Sequence, residues 1–280
     1  MLWRSALSSF SRKGPCMKSK KTEARFFRII IPTYNGAKYL PRMVETIRRQ
    51  SIDDYHLIIV DDQSTDEETV EVAEGLLPDL FVRMERKGYA AGARNEGMRH
   101  FAEDRYTLWF DDDDVLIDDD ALKKLKECAE ANDFPDIIRF NFIKTALSTG
   151  MRGRHHDRFK DPITPADICK EVQWGMPWSK AVRSDLCVDF PEWLSVDDCY
   201  QHIMQCDVCE TAAVVHDDLY EWLVRENSTT TSAVNVRRDS GFYLEVGTLM
   251  RMREQMRHEW AKEAIDARIA WIKQRKLVGG

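Results

Sequence analysis

The 280-residue chain has no apolar run of membrane-spanning length. Its longest, such as LIIV at Leu57 to Val60, fall far short of the roughly 18 residues that a spanning helix needs. It has no excess of positive charge: 41 Lys and Arg stand against 48 Asp and Glu, for a net charge of -7, so a duplex nucleic-acid partner would need a local basic patch. It lacks the even, regularly spaced cysteines of a secreted disulfide framework; seven cysteines in no such pattern read as thiols in a reducing, cytoplasmic compartment. No G-x-G-x-x-G follows the first strand-like run, and Gly88, Gly92 and Gly97 in KGYAAGARNEG do not have that spacing, which argues against a dinucleotide-dependent oxidoreductase. No internal repeat is present.

What remains is ordinary globular composition, 43% hydrophobic and 32% charged, with length for one large or two modest domains. Residues 1–25 are basic and serine-rich, with an apolar portion too broken for a secretory signal. They read as a flexible leader, the alternative being a surface anchor in which Arg12, Lys13, Lys18, Lys20, Lys21 and Arg25 meet anionic lipid on the inner face of a membrane. FFRIII, stopped by Pro32, and HLIIVDD, some 25 residues later, read as buried strands. Between them Leu40, Met43, Val44 and Ile47 fall at helical spacing, so strand, helix, strand predicts a parallel βαβ unit. Asp66 is a predicted N-cap for DEETVEVAEGLL; FVRMER, YTLWF and DIIRFNFIK are further strands, with helices in NEGMRHFAED and from Asp119 to Ala131. From Ile163 the alternation is lost in an aromatic-rich, irregular stretch. A single helix is predicted from Gly241 to about Lys276, with Phe242, Val246, Leu249, Met256, Trp260, Ile265, Ile269 and Ile272 near one face; its basic residues leave membrane docking and packing on the core both open.

The chemistry concentrates in YTLWFDDDDVLIDDDAL. In open α/β sheets ligands sit beyond the carboxyl ends of the strands, so the carboxylates after YTLWF should converge with Thr33, Tyr34, Asn35, Asp61 and Asp62. Four adjacent carboxylates, Asp111 to Asp114, repel one another unless a cation sits among them. Oxygen-only ligands favour Mg2+ or Mn2+, and few-ligand sites of this kind complete their coordination with substrate phosphates. The second triplet, Asp118 to Asp120, reads as a solvated helix start.

At this point the chain resembles a known family. IIIPTYNGAKYLPRMVETIRRQS, LIIVDDQSTDEET, GYAAGARNEGM, LWFDDDDVL and, downstream, WSKAVRSDL, FPEWLSVDD and LYEWLVRENSTT are similar, in order, to the motifs of family 2 glycosyltransferases. The resemblance implies a GT-A fold, a Rossmann-like, mostly parallel α/β sheet with flanking helices, in a nucleotide-sugar core over residues 26–145. An irregular acceptor-side region would follow over 146–235 and a helical extension over 236–280. It implies inverting transfer from a UDP-sugar to a glycan or lipid-linked hydroxyl. Pro32, Thr33, Tyr34 and Asn35 would line the base and ribose, Asp62 would accept from uracil, and Gly92, Arg94, Asp111 and Asp112 would follow the nucleotide-sugar. Asp111 and Asp113 would form the D-x-D, with Asp113 the direct metal ligand and Asp114 a neighbour at sugar or metal. The family's Glu-Asp pair reads Asp197-Asp198 here, and the general base falls on Asp198. Trp178 and Lys180 would belong to the acceptor side, and Tyr220, Arg225 and Ser228 to the closing motif.

Other readings stand beside these. Arg94 could be a counter-ion to the acidic cluster, and the tryptophans could be core. Cys199, His202, Cys206 and Cys209 have zinc-like spacing but lie on one helix that does not turn all four to one side, so buried thiols are preferred. A sugar-phosphate nucleotidyltransferase would release pyrophosphate instead of UDP, and a silent binder would hold nucleotide without turnover.

Overall fold

The structure is a computed structural model that describes residues 23–155, 159, 161–170, 176–192, 197–225 and 241–278. Strand β1 (Phe27–Thr33) is apolar and β-branched at its centre, and it is buried along its whole length. It lies between β2 (Tyr55–Asp61) and β4 (Tyr106–Trp109), parallel to both, and β2 in turn pairs parallel with β3 (Leu80–Arg83). Helix α1 (Leu40–Arg48) makes the first crossover, burying Leu40, Met43, Val44 and Ile47 as their spacing predicts. Helix α2 (Glu67–Gly75) starts where expected: the Asp66 carboxylate accepts the Thr69 N–H at 2.7 Å.

Helix α3 (Tyr89–Met98) then crosses over β1. Its approach needs Gly97, since a Cβ there would stand 2.4 Å from Ile30 Cγ2. Gly97→Ala is therefore expected to destabilise the protein by about 1–3 kcal/mol through overpacking, outweighing the helix propensity gained, as read from urea midpoints. The far end of α3 is held by Arg28, a buried cation of β1. Its guanidinium donates to the carbonyls of Met98 and His100, each at 2.8 Å, and to Thr107 Oγ1 at 2.7 Å, so burial lowers its pKa without leaving its donors idle.

Beyond β4 the sheet becomes mixed, in the order β3-β2-β1-β4-β8-β6-β9-β5. Its remaining members are β5 (Val115–Leu116), β6 (Ile137–Ala146), β8 (Lys180–Arg183) and β9 (Ala212–Val224), with β7 (Met151–His155) forming a hairpin on β6. Helix α4 (Ala121–Ala131) leads into β6, and the short α5 (Pro165–Cys169) follows β7. The region expected to be irregular thus returns to the central sheet: β8 is antiparallel to β4 and β6, and β9 runs parallel to β6 and antiparallel to β5. Helix α6 (Asp197–Val208) precedes β9.

The single C-terminal helix is also corrected. Two helices, α7 (Gly241–Gln255) and α8 (Glu259–Val278), stand in its place. Asp207 of α6 causes the break, its carboxylate accepting the N–H groups of Arg257 at 2.8 Å and His258 at 2.9 Å and so capping α8 from another element. Leu249, Met256, Ile265, Ile269 and Ile272 are buried in one cluster with Tyr200, Ile203 and Cys206 of α6, so the apolar face packs on the core. Among the described residues no helix is long and apolar enough to cross a membrane. The leader up to residue 22 lies outside the described residues.

Candidate active site

The order β2-β1-β4 sets three carboxyl ends side by side, delivering Asp61 and Asp62, Thr33, and Asp111 to one crevice. Thr33 Oγ1 donates to Asp112 Oδ2 at 2.5 Å. The chain passes close over this contact at Gly36, where a Cβ would lie 2.1 Å from Asp112 Oδ2 and 2.3 Å from Thr33 Oγ1, so any side chain there would push the contact apart. Asn35 takes a positive φ of 51° and accepts the Thr65 N–H at 2.8 Å, fixing the turn after β1 to the loop after β2. Pro32 lies opposite Val60 in the parallel register, one pair before its end at Thr33 and Asp61. Tyr34 is exposed, with Lys87 Nζ 3.0 Å from its ring centroid.

Asp62 is 3% exposed and accepts the Gly88 N–H at 2.6 Å, with Lys87 Nζ 3.6 Å from Oδ2. Gly92 faces Glu192, whose Cδ would be 3.6 Å from a Cβ at that position. A shallow cavity of about 310 Å3 beside it is lined by Arg86, Lys87, Gly88, Tyr89 and Glu192.

Arg94 joins the two halves of the crevice. One guanidinium nitrogen lies 2.7 Å from Asp111 Oδ1 and another 2.9 Å from Asp198 Oδ1. The counter-ion reading of Arg94 is therefore what the geometry displays, and it links the strand-end aspartates to the pair at the start of α6. Asp197 is the first residue of that helix, but its side chain lies outside the described residues. Arg225, just after β9, lies 2.6 Å from Asp113 Oδ2, and Arg42 donates to the Asp113 carbonyl at 2.8 Å. Ser228, Trp174 and Trp193 are outside the described residues.

Four expected site residues, Asp114, Tyr220, Trp178 and Lys180, are placed elsewhere. Asp114 is fully buried, and its oxygens accept the Tyr220 hydroxyl at 2.8 Å and the Leu223 N–H at 2.7 Å; it braces β9 under the site instead of facing a sugar or metal. Tyr220 completes that brace by accepting the Asp111 N–H at 3.1 Å. Trp178 is 2% exposed, stacked on Tyr220 with centroids 4.7 Å apart, so it has no face for an acceptor. Lys180 is fully buried, donating to the Met176 carbonyl at 3.1 Å beside His202 Nδ1 at 3.4 Å, and burial lowers its pKa to about 8. His202 Nε2 is engaged with the Ile168 carbonyl, and the six cysteines among the described residues are free thiols.

Electrostatically the strand end is crowded. Burial, then repulsion from Asp113, pushes Asp112 up to about 7. Asp111 is raised by burial and by Asp113 and Asp198, against the pull of Arg94. Raised carboxylates mean that the native state holds protons already released by the unfolded chain. That stabilisation is complete below the ordinary carboxylate range and lost as pH rises through about 7. In chelator, stability is expected to fall between pH 5 and pH 8 by more in the wild type than in Asp112→Asn. The difference, about 1–2 kcal/mol by urea denaturation, allows for the partial exposure of the site.

No three carboxylate, thiol or imidazole groups converge as a complete metal cage among the described residues. The donor set still fits a hard divalent cation of the kind that takes one or two carboxylates and completes its shell with phosphate oxygens, because Asp111 and Asp113 are oxygen donors held in a charge-crowded crevice.

Residues 28–173, more than half of the chain, match the model of glycosyl transferase family 2. An uncharacterized glycosyltransferase of Haemophilus influenzae is 32% identical over 143 residues, 51% of this chain and 46% of that one. The chain spans about half the length of the curated relatives it matches. Among solved structures, S. aureus TarS 1-349 in complex with UDP-GlcNAc aligns with a TM-score of 0.72 at 20% identity, covering 89% of this chain and 72% of that one. The mannosyltransferase PcManGT from Pyrobaculum calidifontis, in complex with GDP-Man and Mn2+, aligns with a TM-score of 0.52 at 17% identity, covering 92% and 73%. At these identities the structural likeness establishes the GT-A fold.

Proposed function

The chain belongs to glycosyl transferase family 2, and from that footing we propose that it transfers a sugar from a UDP-sugar, with inversion, to the hydroxyl of a glycan or lipid-linked acceptor. The observation that carries the reading is the Arg94 bridge, which holds a strand-end carboxylate and a carboxylate of α6 on one guanidinium. A displacement at an anomeric carbon needs charge stabilisation where the diphosphate leaves and a base on the opposite face where the hydroxyl arrives. The crevice has carboxylates for both.

On the donor side, Asp113 with Asp111 would hold Mn2+ or Mg2+, which supplies Lewis acidity to the leaving diphosphate. Arg94 and Arg225 stand beside these carboxylates as fixed cations and can meet phosphate oxygens without deprotonating. Tyr34 would offer its exposed ring to the nucleobase, while Asp62, buried and accepting the Gly88 N–H, would hold the loop beside it, with Thr33 and Asn35 shaping the turn after β1. Across the crevice, Asp198 would take the proton of the attacking hydroxyl, oriented by Arg94. The acceptor wall is left to residues other than Trp178, which is enclosed.

The test is thermal stability with UDP and Mn2+ together, each alone, and with chelator. A ligand that binds only the native state raises its stability, so UDP with Mn2+ is expected to raise the melting temperature and either alone to raise it little. A response to GDP in place of UDP would move the donor class; no response to any nucleoside diphosphate with metal would overturn the reading.

A further inference from the structure

The helix residue next to Arg94 makes a second tie across the crevice. Asn95 is buried, and its side-chain amide pairs with the backbone of Phe190 in both directions: Oδ1 accepts the Phe190 N–H at 2.7 Å, and Nδ2 donates to the Phe190 carbonyl at 2.9 Å. Nδ2 also lies 3.2 Å from Glu192 Oε1, and Glu192 Oε2 lies 3.3 Å from Arg86 in the loop between β3 and α3. A primary amide presents a donor and an acceptor together without depending on pH, so an ionised Asp or an apolar residue here would lose half or all of the pairing.

The pairing fixes a ring as well as a backbone. Phe190 is 1% exposed and packs edge-on against Trp109 of β4, with centroids 5.6 Å apart. Its face stands 5.3 Å from the Arg94 guanidinium carbon. Arg94 is thus held by its two carboxylates at one end and bounded by an aromatic wall that Asn95 keeps in place.

Resting on the function proposed above, we propose that Asn95 is a positioning residue: through Phe190 it sets the Arg94 guanidinium, and through Arg94 the place of Asp198 relative to Asp111. A base has to meet a hydroxyl within hydrogen-bond reach, and a misplacement of about 1 Å can cost roughly 100-fold in rate. The chain reads its own donor and acceptor sides through two successive residues of α3, one ionic and one amide.

The experiment compares wild type, Asn95→Ala and Phe190→Leu, the second removing the aromatic wall while keeping the backbone pairing. UDP release from UDP-GlcNAc is expected to fall about 10- to 100-fold in both, a larger factor than any loss of UDP affinity read from the melting shift with Mn2+, to which Arg94 also contributes. Combined with Asp198→Asn, Asn95→Ala is expected to cost little more, because a residue acting through the base has no further effect once the base is gone. Amide exchange is expected to quicken at the start of α6 in Asn95→Ala and not in β1 or β2. Unchanged exchange at α6 overturns the proposal whether or not the wild type turns over UDP-GlcNAc. So does a loss of turnover that is undiminished in the Asp198→Asn background, or one matched by an equal loss of UDP binding. A wild type that ignores UDP with Mn2+ defeats the donor assignment instead, leaving the exchange result to decide the role of Asn95.

Discussion

Under the proposed transfer, Asp198→Asn is expected to lower turnover of the UDP-sugar donor by roughly 10²- to 10⁴-fold, the range that a positioned general base contributes. The substitution keeps the side chain's size and leaves an oxygen that can accept from Arg94, which now lies 2.9 Å from Asp198 Oδ1. Arg94 also retains Asp111 at 2.7 Å, so the guanidinium is not stranded. Binding of UDP with Mn2+ should therefore survive, and the melting shift is the control. Full activity in Asp198→Asn would remove the base from this residue and direct attention to Asp197, which occupies the preceding position on α6.

Asp113→Asn has the opposite signature. A neutral amide is a poor ligand for a hard divalent cation, so both turnover and the melting shift given by UDP with Mn2+ are expected to be lost. Arg225, 2.6 Å from Asp113 Oδ2, would lose its charge partner but remain part-exposed to solvent. Asp114 supplies the comparison within the same run of aspartates. Asp114→Ala strips the acceptor from the Leu223 N–H and the Tyr220 hydroxyl and is expected to cost about 1–3 kcal/mol of stability, visible without any ligand. If Asp113→Asn kept a metal-dependent response to UDP, the cation would have to be held elsewhere.

The contrast between Asp113 and Asp114 shows what a run of like residues conceals. Nothing in DDDD tells which carboxylate points into the crevice and which is folded under it. That depends on β9, which arrives about one hundred residues later to place Tyr220 and Leu223 against Asp114. Trp178 is ambiguous for a related reason: an aromatic in a stretch without regular periodicity can line a pocket or fill a core, and the stacked ring of Tyr220 and the edge-on ring of Phe142 put it in the core. Lys87, Glu192 and Asn95 carried no signal of their own, because single polar residues in loops and small helices acquire a role only from what is brought opposite them.

The parallel core and the position of the acidic site are legible in local composition. Phe27–Thr33, Tyr55–Asp61 and Tyr106–Trp109 are apolar runs that have to be buried, and polar residues stand at or just after the carboxyl end of each, so in a parallel sheet the carboxylates collect at one edge. The partners come from packing: Arg94 between Asp111 and Asp198, Asn95 on Phe190, and Asp207 capping α8 across a gap that the helical periodicity runs straight through. Burial is written into local composition and period. Hydrogen bonds and ion pairs between residues fifty or a hundred positions apart are fixed by the packing of elements on one another, and no window of sequence contains both ends.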